Sequence, residues 1–265
     1  MKTLVFANQK GGVGKSAIAC QMAYYYAARG LRILFVDLDH QMNSTRALAQ
    51  NVKVVKTAFT AQAVLMGQAS MLAKGDTFVL VPAEEGLSSL ERQPANHQNY
   101  VDNLFEFARG RDDFDLCIID TNPNPDIRYG AALAASDFVL SPIQLNQEAL
   151  DGIGALLNHS RWGIHKLKNH IKTHELQLLG LLPNLVEPTP FQRGNFALLR
   201  ERYSHLLIPI DGPSGFLRIP TRSAIAESQA HGTYLADVPK TAARDAFKEV
   251  RACFDVLAKR MALEI

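Results

Sequence analysis

Short apolar runs alternate with amphipathic stretches over most of the 265-residue chain. Continuous runs of four to eight apolar, β-branched residues are typical of strands that are buried on both faces of a sheet. They predict strands at 2–7, 32–37, 77–82, 115–120, 137–142 and 176–183. Apolar residues at helical spacing predict helices at 16–29, 98–109, 127–135, 147–160 and 241–261.

Strands that alternate with helices are joined by right-handed crossovers, which produce a mostly parallel sheet. We therefore expect an α/β fold of three layers, with helices on both faces of the sheet. The sequence contains no internal repeat, low-complexity tract or linker, so residues 1–265 are expected to form a single domain. We interpret the prolines at 183, 188, 190, 209, 213 and 220 as loop punctuation within that domain.

Composition and charge mainly exclude classes of protein, such as membrane-spanning and disulfide-rich proteins. The chain is 47% hydrophobic and 20% charged, and its net charge of +2 requires any nucleic-acid surface to be local. Cys20, Cys117 and Cys253 lie far apart in apolar segments, as reduced core cysteines of a cytosolic protein do. No apolar run approaches the roughly 18 residues of a membrane span, and the strand pattern at the first residues leads us to expect no signal peptide. These features predict a cytoplasmic protein.

A glycine-rich loop, ANQKGGVGKSA at 7–17, joins the first predicted strand to the first predicted helix. Residues 12–17 fit the dinucleotide pattern G-x-G-x-x-[GA], and Asp37 follows at about the distance of that fingerprint's acidic residue. The loop also ends as a phosphate loop, G-x-x-x-x-G-K-[ST], does, although Gln9 stands where the first glycine belongs. The segment K-G-G-V-G-K-S is the deviant Walker A motif.

Two features favour the phosphate loop. Lys15 lies at the start of a helix, where the macrodipole is already positive, so an anion is needed there, and Ser16 is suited to ligate Mg²⁺. Downstream, FDLCIIDTNP at 114–123 is an apolar strand that ends in Asp120, which is a Walker B pattern and predicts a second magnesium contact.

With these motifs the chain resembles the ParA/MinD-like deviant Walker A ATPases. The match covers 10–16, then VDLDHQ at 36–41 against D-x-D-P-Q, then IIDTNP at 118–123. Later segments at 135–153, 179–187 and 219–232 extend it over nearly the whole chain. Its details are most similar to the short partition ATPases of plasmids, which lack an added N-terminal DNA-reading domain. The resemblance implies a P-loop NTPase fold.

The resemblance also assigns roles. The ATP phosphates would be held by Lys10, Gly11, Gly12, Val13, Gly14, Lys15, Ser16 and Ala17. Lys10 is the family's signature lysine, which reaches across a dimer to the partner's nucleotide. Asp39 would orient the attacking water, and Asp37 would join Ser16 and Asp120 around Mg²⁺. As an alternative, one of the two aspartates, Asp37 or Asp39, only caps the helix that follows at Asn43-Ser44-Thr45.

The base-binding end is assigned by the same resemblance to Asn184 at a strand end and to the backbone at Pro220 and Thr221. An amide side chain can pair with both a donor and an acceptor of adenine. The chain departs from the family pattern at two positions near the switches. His40 replaces a proline in D-x-D-P-Q, and Asn122 replaces a proline or alanine after the Walker B aspartate.

A DNA surface is predicted on the last helix. Lys240, Arg244, Lys248 and Arg251 recur on one face opposite an apolar stripe, and doubling such contacts in a dimer would strengthen binding. Asp245 and Glu249 interrupt the ridge, so an ordinary solvated face is the alternative. Arg218 and Arg222 are further candidates, because DNA-binding arginines of relatives lie near that segment.

The resemblance implies a DNA-partition ATPase that binds ATP and Mg²⁺ and forms a homodimer around two nucleotides. It would bind nucleoid DNA without sequence preference and hydrolyse ATP slowly until a ParB-type partner stimulates it. Alternatives are a positioning ATPase for a protein cargo and a MinD-like membrane switch. An iron–sulfur reductase would need its cysteines elsewhere, and a nicotinamide dehydrogenase leaves Lys10, Lys15 and Asp120 unexplained.

Overall fold

A seven-stranded parallel sheet forms the centre of the protein in the computed structural model, which describes residues 1–72, 75–109, 111–170, 175–211 and 215–265. Its strands are β1 (Lys2–Phe6), β2 (Ile33–Asp37), β3 (Val55–Lys56), β4 (Phe78–Val81), β5 (Leu116–Asp120), β6 (Phe138–Ile143) and β7 (Gln177–Pro183). They lie in the order β3-β4-β2-β5-β1-β6-β7, and each adjacent pair is parallel. The predicted α/β class is therefore confirmed.

Ten α-helices connect and cover the strands within the described residues. They are α1 (Lys15–Ala28), α2 (Asn43–Leu48), α3 (Ala61–Leu65), α4 (His97–Arg109), α5 (Ile127–Ala134), α6 (Gln147–Asn158), α7 (Ile164–His170), α8 (Pro190–Tyr203), α9 (Ser223–Ala230) and α10 (Thr241–Arg260). The five helices predicted from periodicity are present with ends shifted by at most two residues. None of these helices has the length and hydropathy needed to cross a bilayer.

The interpretation of the prolines as loop punctuation was wrong at two positions, and Pro213 lies outside the described residues. Pro190 opens α8, where the hydroxyl of Thr189 accepts a hydrogen bond from the Gln192 N–H at 3.2 Å. A proline fits the first turn of a helix because its missing N–H has no partner to lose there. Pro183 is the last residue of β7.

The two faces of the sheet bury separate cores. Val5, Leu34 and Ile119 point to one face, which α4, α5 and α6 cover. The next residues along the same strands, such as Phe6 and Phe35, point to the other face, which α1, α9 and α10 cover. This alternation follows from the two-residue period of a strand and explains why the strands read as continuous apolar runs.

The sheet register brings the acidic strand ends together. Asp37, the last residue of β2, pairs with Asp120, the last residue of β5, and Phe6 of β1 pairs with Asp120 on the other side. The carboxyl ends of three central strands therefore meet at one edge of the sheet. The loops that follow these strands open at this edge, which is where α/β sheets bind their ligands.

Candidate functional site

The loop between β1 and α1 has the backbone of an anion cradle. Gly12 and Gly14 adopt φ angles of 74° and 84°, which are left-handed conformations that favour glycine. Gly14 immediately precedes α1, and no side chain caps the first turn of that helix. The N–H groups at the start of α1 are therefore available to an anion.

Lys15 is a buried cation at this helix start, with only 7% of its surface exposed. Its Nζ donates to the backbone oxygen of Lys10 at 3.2 Å. Burial lowers the pKa of the Lys15 amine, and the negative charges of Asp120 and Asp39 oppose that shift. A cation held out of water beside the positive end of a helix is stabilised when an anion joins it.

Asp120 is completely buried beneath the loop. Its Oδ2 accepts a hydrogen bond from the Ser44 hydroxyl at 2.7 Å, whereas its Oδ1 has no hydrogen-bond partner among the described residues. Burial raises the pKa of this carboxyl, and the hydroxyls of Ser16 and Ser44 and the charge of Lys15 lower it in part. A buried carboxylate oxygen without a partner fits an additional ligand such as a metal ion or its water.

Asp37 is equally buried, but hydrogen bonds reach both of its oxygens. Oδ1 accepts from the Asp39 N–H at 3.0 Å, and Oδ2 accepts from the N–H and hydroxyl of Thr45 at 2.8 and 2.7 Å. Burial, followed by the charge of Asp120, raises its pKa to about 8. The helix-capping alternative therefore describes the geometry of Asp37, which anchors α2 to the end of β2.

Asp39 lies at the entrance of the loop and is 6% exposed. Its Oδ1 accepts a hydrogen bond from the Gln41 N–H at 3.0 Å. A cavity of about 630 Å³ is lined by residues 11–17 together with Asp39, Arg46 and Gln229. The structure thus brings the predicted phosphate loop, the predicted metal ligand Ser16 and the predicted water-orienting carboxylate to one cavity.

Lys10 is turned away from that cavity. Its Nζ donates to Asn146 Oδ1 at 3.2 Å and forms an ion pair with Glu148 Oε2, and both partners lie at the start of α6. Its own N–H donates to Asn8 Oδ1 at 2.8 Å. The side chain of Glu148 is 82% exposed, so water competes strongly for this ion pair.

Comparisons with known proteins agree with this site. Residues 1–174 match the sequence model of a family described as an AAA domain. The protein IncC of Escherichia coli is 34% identical over an alignment of 274 positions, which covers 98% of this chain and 70% of IncC. The chromosome-partitioning ATPase Soj of Thermus thermophilus is 28% identical, and the match covers 89% of this chain and 88% of Soj.

The chain belongs to the ParA family of partition ATPases. This membership confirms the resemblance carried by the three sequence motifs. A solved structure of a variant of Cyanothece McdA in complex with ATP has the same fold, with a TM-score of 0.77 over 100% of this chain and 98% of McdA. Because the two sequences are 20% identical, that likeness concerns the fold alone.

The predicted base-binding residues of this ParA-type chain lie on adjacent segments, because Pro220 forms a parallel backbone bridge with Val186, two residues after Asn184. Asn184 is 2% exposed, and its Nδ2 donates to the Val13 backbone oxygen at 2.8 Å, so its amide supports the phosphate loop. Pro220 and Thr221 line a different cavity of about 690 Å³, whose apolar lining includes Val186 and Phe216.

Sequence reasoning missed an arginine beside the switches. Arg128, in the first turn of α5, is 2% exposed and pairs with Asp126. It also contacts His40, whereas the side chain of Asn122 donates to Asp126. The two positions that depart from the ParA pattern therefore meet at one buried ion pair. Asp126 just before a helix is a cap signal, but nothing in the local sequence distinguishes a buried arginine from a solvated one.

Most residues of the predicted DNA surface already have acidic partners. The ion pairs are Arg222 with Glu249 at 2.6 Å, Lys240 with Glu227 at 2.9 Å, Lys248 with Asp245 at 3.5 Å and Arg251 with Asp255 at 3.8 Å. Arg218 and Arg244 are exposed and form no ion pair with any residue that the structure describes. The local positive charge is therefore smaller than the spacing of basic residues suggests.

Proposed function

We propose that this protein is an ATP-dependent partition switch of the cytoplasm. It binds ATP and Mg²⁺, closes into a homodimer, binds nucleoid DNA without sequence preference and hydrolyses ATP to ADP and phosphate when a ParB-type partner stimulates it. The observation that carries the proposal is the buried amine of Lys15. It lies at the open start of α1 between two carboxylates, Asp39 and Asp120.

The donor set fits Mg²⁺. No group of three or more His, Cys, Asp or Glu residues in the described ranges could hold a metal ion by itself. Mg²⁺ commonly takes only one or two protein ligands and completes its shell with phosphate oxygens and water, so two protein ligands are sufficient here. Ser16 supplies a hydroxyl at the first turn of α1, and Asp120 supplies the carboxylate oxygen that lacks a partner. Bound Mg²⁺ would neutralise phosphate charge. Asp37 acts behind these ligands by anchoring α2, whose Ser44 holds Asp120.

Hydrolysis needs a group that orients water, and Asp39 is suited to this role. Its carboxylate lines the same cavity as Lys15 and Ser16. Because the Lys15 amine and the open N–H groups at the start of α1 all point to an anion, phosphate binding would complete the site. Residues 10–17 would hold the phosphates through the backbone of the loop, with Gly11, Gly12, Val13, Gly14 and Ala17 contributing no charged group.

Lys10 is assigned to the dimer. Its amine is held by an exposed carboxylate, and exposed ion pairs contribute only about 0–1 kcal/mol to stability. The phosphates of a partner's nucleotide offer Lys10 more negative charge than Glu148 does, so the side chain can exchange one contact for the other. We retain Asn184 as a proposed base-binding residue because its amide contacts the phosphate loop. Pro220 and Thr221 are retained as proposed base-binding residues because of the family resemblance.

Two related candidates share the ATP chemistry and differ in cargo. A positioning ATPase for a protein cargo is favoured by the pairing of Arg222, Lys240, Lys248 and Arg251 with acidic residues, which weakens the DNA surface. A MinD-like membrane switch would need a free apolar helix face. The apolar stripe of α10 is instead buried in the core, with Phe254 and Leu257 at most 1% exposed.

Nucleotide specificity tests the proposal directly. ATP with Mg²⁺ should raise the melting temperature, since a ligand at 100 times its Kd adds about 2.7 kcal/mol to the stability of the folded state, whereas NAD should not. Lys15→Gln should abolish the shift, and Lys168→Gln, on the exposed face of α7, should leave it unchanged. A shift with NAD, or an equal ATP shift in Lys15→Gln, would contradict the phosphate-loop assignment.

A further inference from the structure

Arg128 occupies an unusual position for a charged residue. It is 2% exposed and lies between the segment that follows β2 and the segment that follows β5. Buried charges are retained at such places when they are paired and hydrogen-bonded on all sides. The partners of Arg128 therefore indicate what it holds in place.

One side of Arg128 is fixed by Asp126. The Nε atom of Arg128 lies 3.1 Å from Asp126 Oδ2, and Nη2 donates to the same oxygen. Asp126 also caps α5 by accepting the N–H of Arg128 at 3.0 Å, and it accepts Nδ2 of Asn122 at 3.0 Å. Asn122 is two residues beyond Asp120, so this ion pair anchors the segment that carries the candidate metal ligand.

The other side of Arg128 contacts His40. Nη1 of Arg128 lies 3.1 Å from Nδ1 of His40. Nε2 of His40 lies 3.0 Å from Nε2 of Gln41, so donor nitrogens face both nitrogens of the imidazole. Nδ1 of His40 also lies 3.5 Å from Oδ1 of Asp39. The contacts with Arg128 and Gln41 therefore hold the imidazole beside the Asp39 carboxylate.

We propose that Arg128 is a positioning residue for ATP hydrolysis, which acts by holding the imidazole of His40 beside Asp39 and by tying the segment of Asp39 to the segment of Asp120. The proposal rests on the proposed function, in which Asp39 orients the attacking water. It explains why His40 and Asn122 occur together in this chain. The imidazole of His40 contacts Arg128, and the amide of Asn122 donates to Asp126. A proline at either position has no side-chain group that could make such a contact.

The imidazole itself gives a readout that does not depend on hydrolysis. Side-chain ¹⁵N NMR reports the surroundings of the two His40 nitrogens, and His40→Asn identifies their signals. Arg128→Lys keeps a positive charge beside Asp126 but has one donor nitrogen instead of three. It should shift the His40 Nδ1 signal, because that nitrogen loses its contact with the guanidinium.

A matched control lies at the opposite ends of β2 and β5. Arg32 also pairs with an aspartate through two nitrogens, with Nη2 2.7 Å from Asp115 Oδ1 and Nε 3.2 Å from Asp115 Oδ2. Arg32→Lys should leave the His40 signals and the hydrolysis rate unchanged. Unaltered His40 signals in Arg128→Lys would overturn the proposal.

Kinetics separate positioning from a structural role. Arg128→Lys should lower kcat at least fivefold with KM for ATP within twofold, because ATP binding does not use this contact. In a His40→Ala background the same substitution should have less than a twofold effect, since the two residues act through one contact. Additive losses, or a change in KM alone, would overturn the proposal. A wild type that binds no ATP would overturn the proposed function, whereas normal kcat in Arg128→Lys would overturn only the role of Arg128.

Discussion

Gly14 combines a backbone requirement with a packing requirement. Its φ is 84°, and a Cβ built there would lie 2.3 Å from Nδ2 of Asn184, the atom that donates to Val13. Gly30 has a similar φ of 93°, but a Cβ there would meet no atom within 4 Å. A comparison of substitutions at these two glycines therefore separates the cost of backbone strain from the cost of steric crowding.

Gly14→Ala should destabilise the protein more than Gly30→Ala does. A left-handed alanine costs about 1–3 kcal/mol at either position. Only at Gly14 does Asn184 also have to give up its hydrogen bond, at a further cost of about 0.5–1.5 kcal/mol. Urea unfolding of both variants measures the difference, and equal losses would show that Asn184 yields without cost.

Two buried carboxyls, Asp37 and Asp120, face one another across β2 and β5. Burial and this pairing raise the pKa of Asp37 to about 8 from its ordinary value of 3.8. The folded protein therefore binds a proton that the unfolded chain releases above about pH 4. The stability that this proton contributes is fully present below pH 4 and is lost as the pH rises through about 8.

Without nucleotide and Mg²⁺, the free energy of unfolding should therefore fall between pH 5 and pH 8, with a limiting slope of about 1.4 kcal/mol per pH unit for one group. Asp37→Asn cannot titrate and should flatten this fall. Urea unfolding at each pH makes the measurement, and Asp113→Asn on the surface is the control. A fall of equal steepness in Asp37→Asn would place the proton elsewhere.

At the scale of elements, the regular part of the fold follows from the sequence. Long periodic helices such as α4 and α10, and the buried strands, occur within two residues of their predicted positions because their patterns repeat often enough to be unambiguous. The two-residue strand β3 and short helices such as α2 and α9 have too few turns for a period to be recognised. Their positions depend on tertiary contacts such as the cap that Asp37 provides for α2.

The candidate site also has one part that the sequence predicts and another part that only the structure shows. The phosphate loop, Asp39 and Asp120 were predicted because their motifs are local, whereas the contact of Arg128 with His40 joins residues 88 positions apart. Charge pairing is equally non-local. No acidic partner of Arg222 can be recognised in the sequence, but in the structure Arg222 forms an ion pair with Glu249 of α10.

The predicted DNA surface on α10 and on the segment before α9 should depend on Arg218 and Arg244, which form no ion pair among the described residues. Arg218→Ala and Arg244→Ala are each expected to weaken binding to a random-sequence duplex several-fold and to reduce the slope of affinity against salt by about 1 for each phosphate that is no longer neutralised. Arg222→Ala should have a smaller effect, because its charge already meets Glu249. Titrations at several salt concentrations test this order, and an equal loss in all three variants would contradict it.

At the scale of the whole molecule, the parallel sheet places the chemistry at one edge and leaves the covering helices free to carry contacts with partners. The phosphate loop, the segment after β2 and the segment after β5 meet at the carboxyl ends of β1, β2 and β5. Lys10 lies at the rim of this edge and points to the start of α6. We propose that a second subunit faces this edge in the ATP-bound dimer and presents its nucleotide to Lys10.

The measurement that tests the account most directly is binding to a random-sequence DNA duplex without nucleotide, with ADP and with ATP, for the wild type and Lys10→Ala. Binding that requires ATP, weakens with salt and disappears in Lys10→Ala is the predicted result, because it joins phosphate binding, the dimer and DNA in one observation. Equal binding in all three nucleotide states, or none in any state, would contradict the DNA-partition switch.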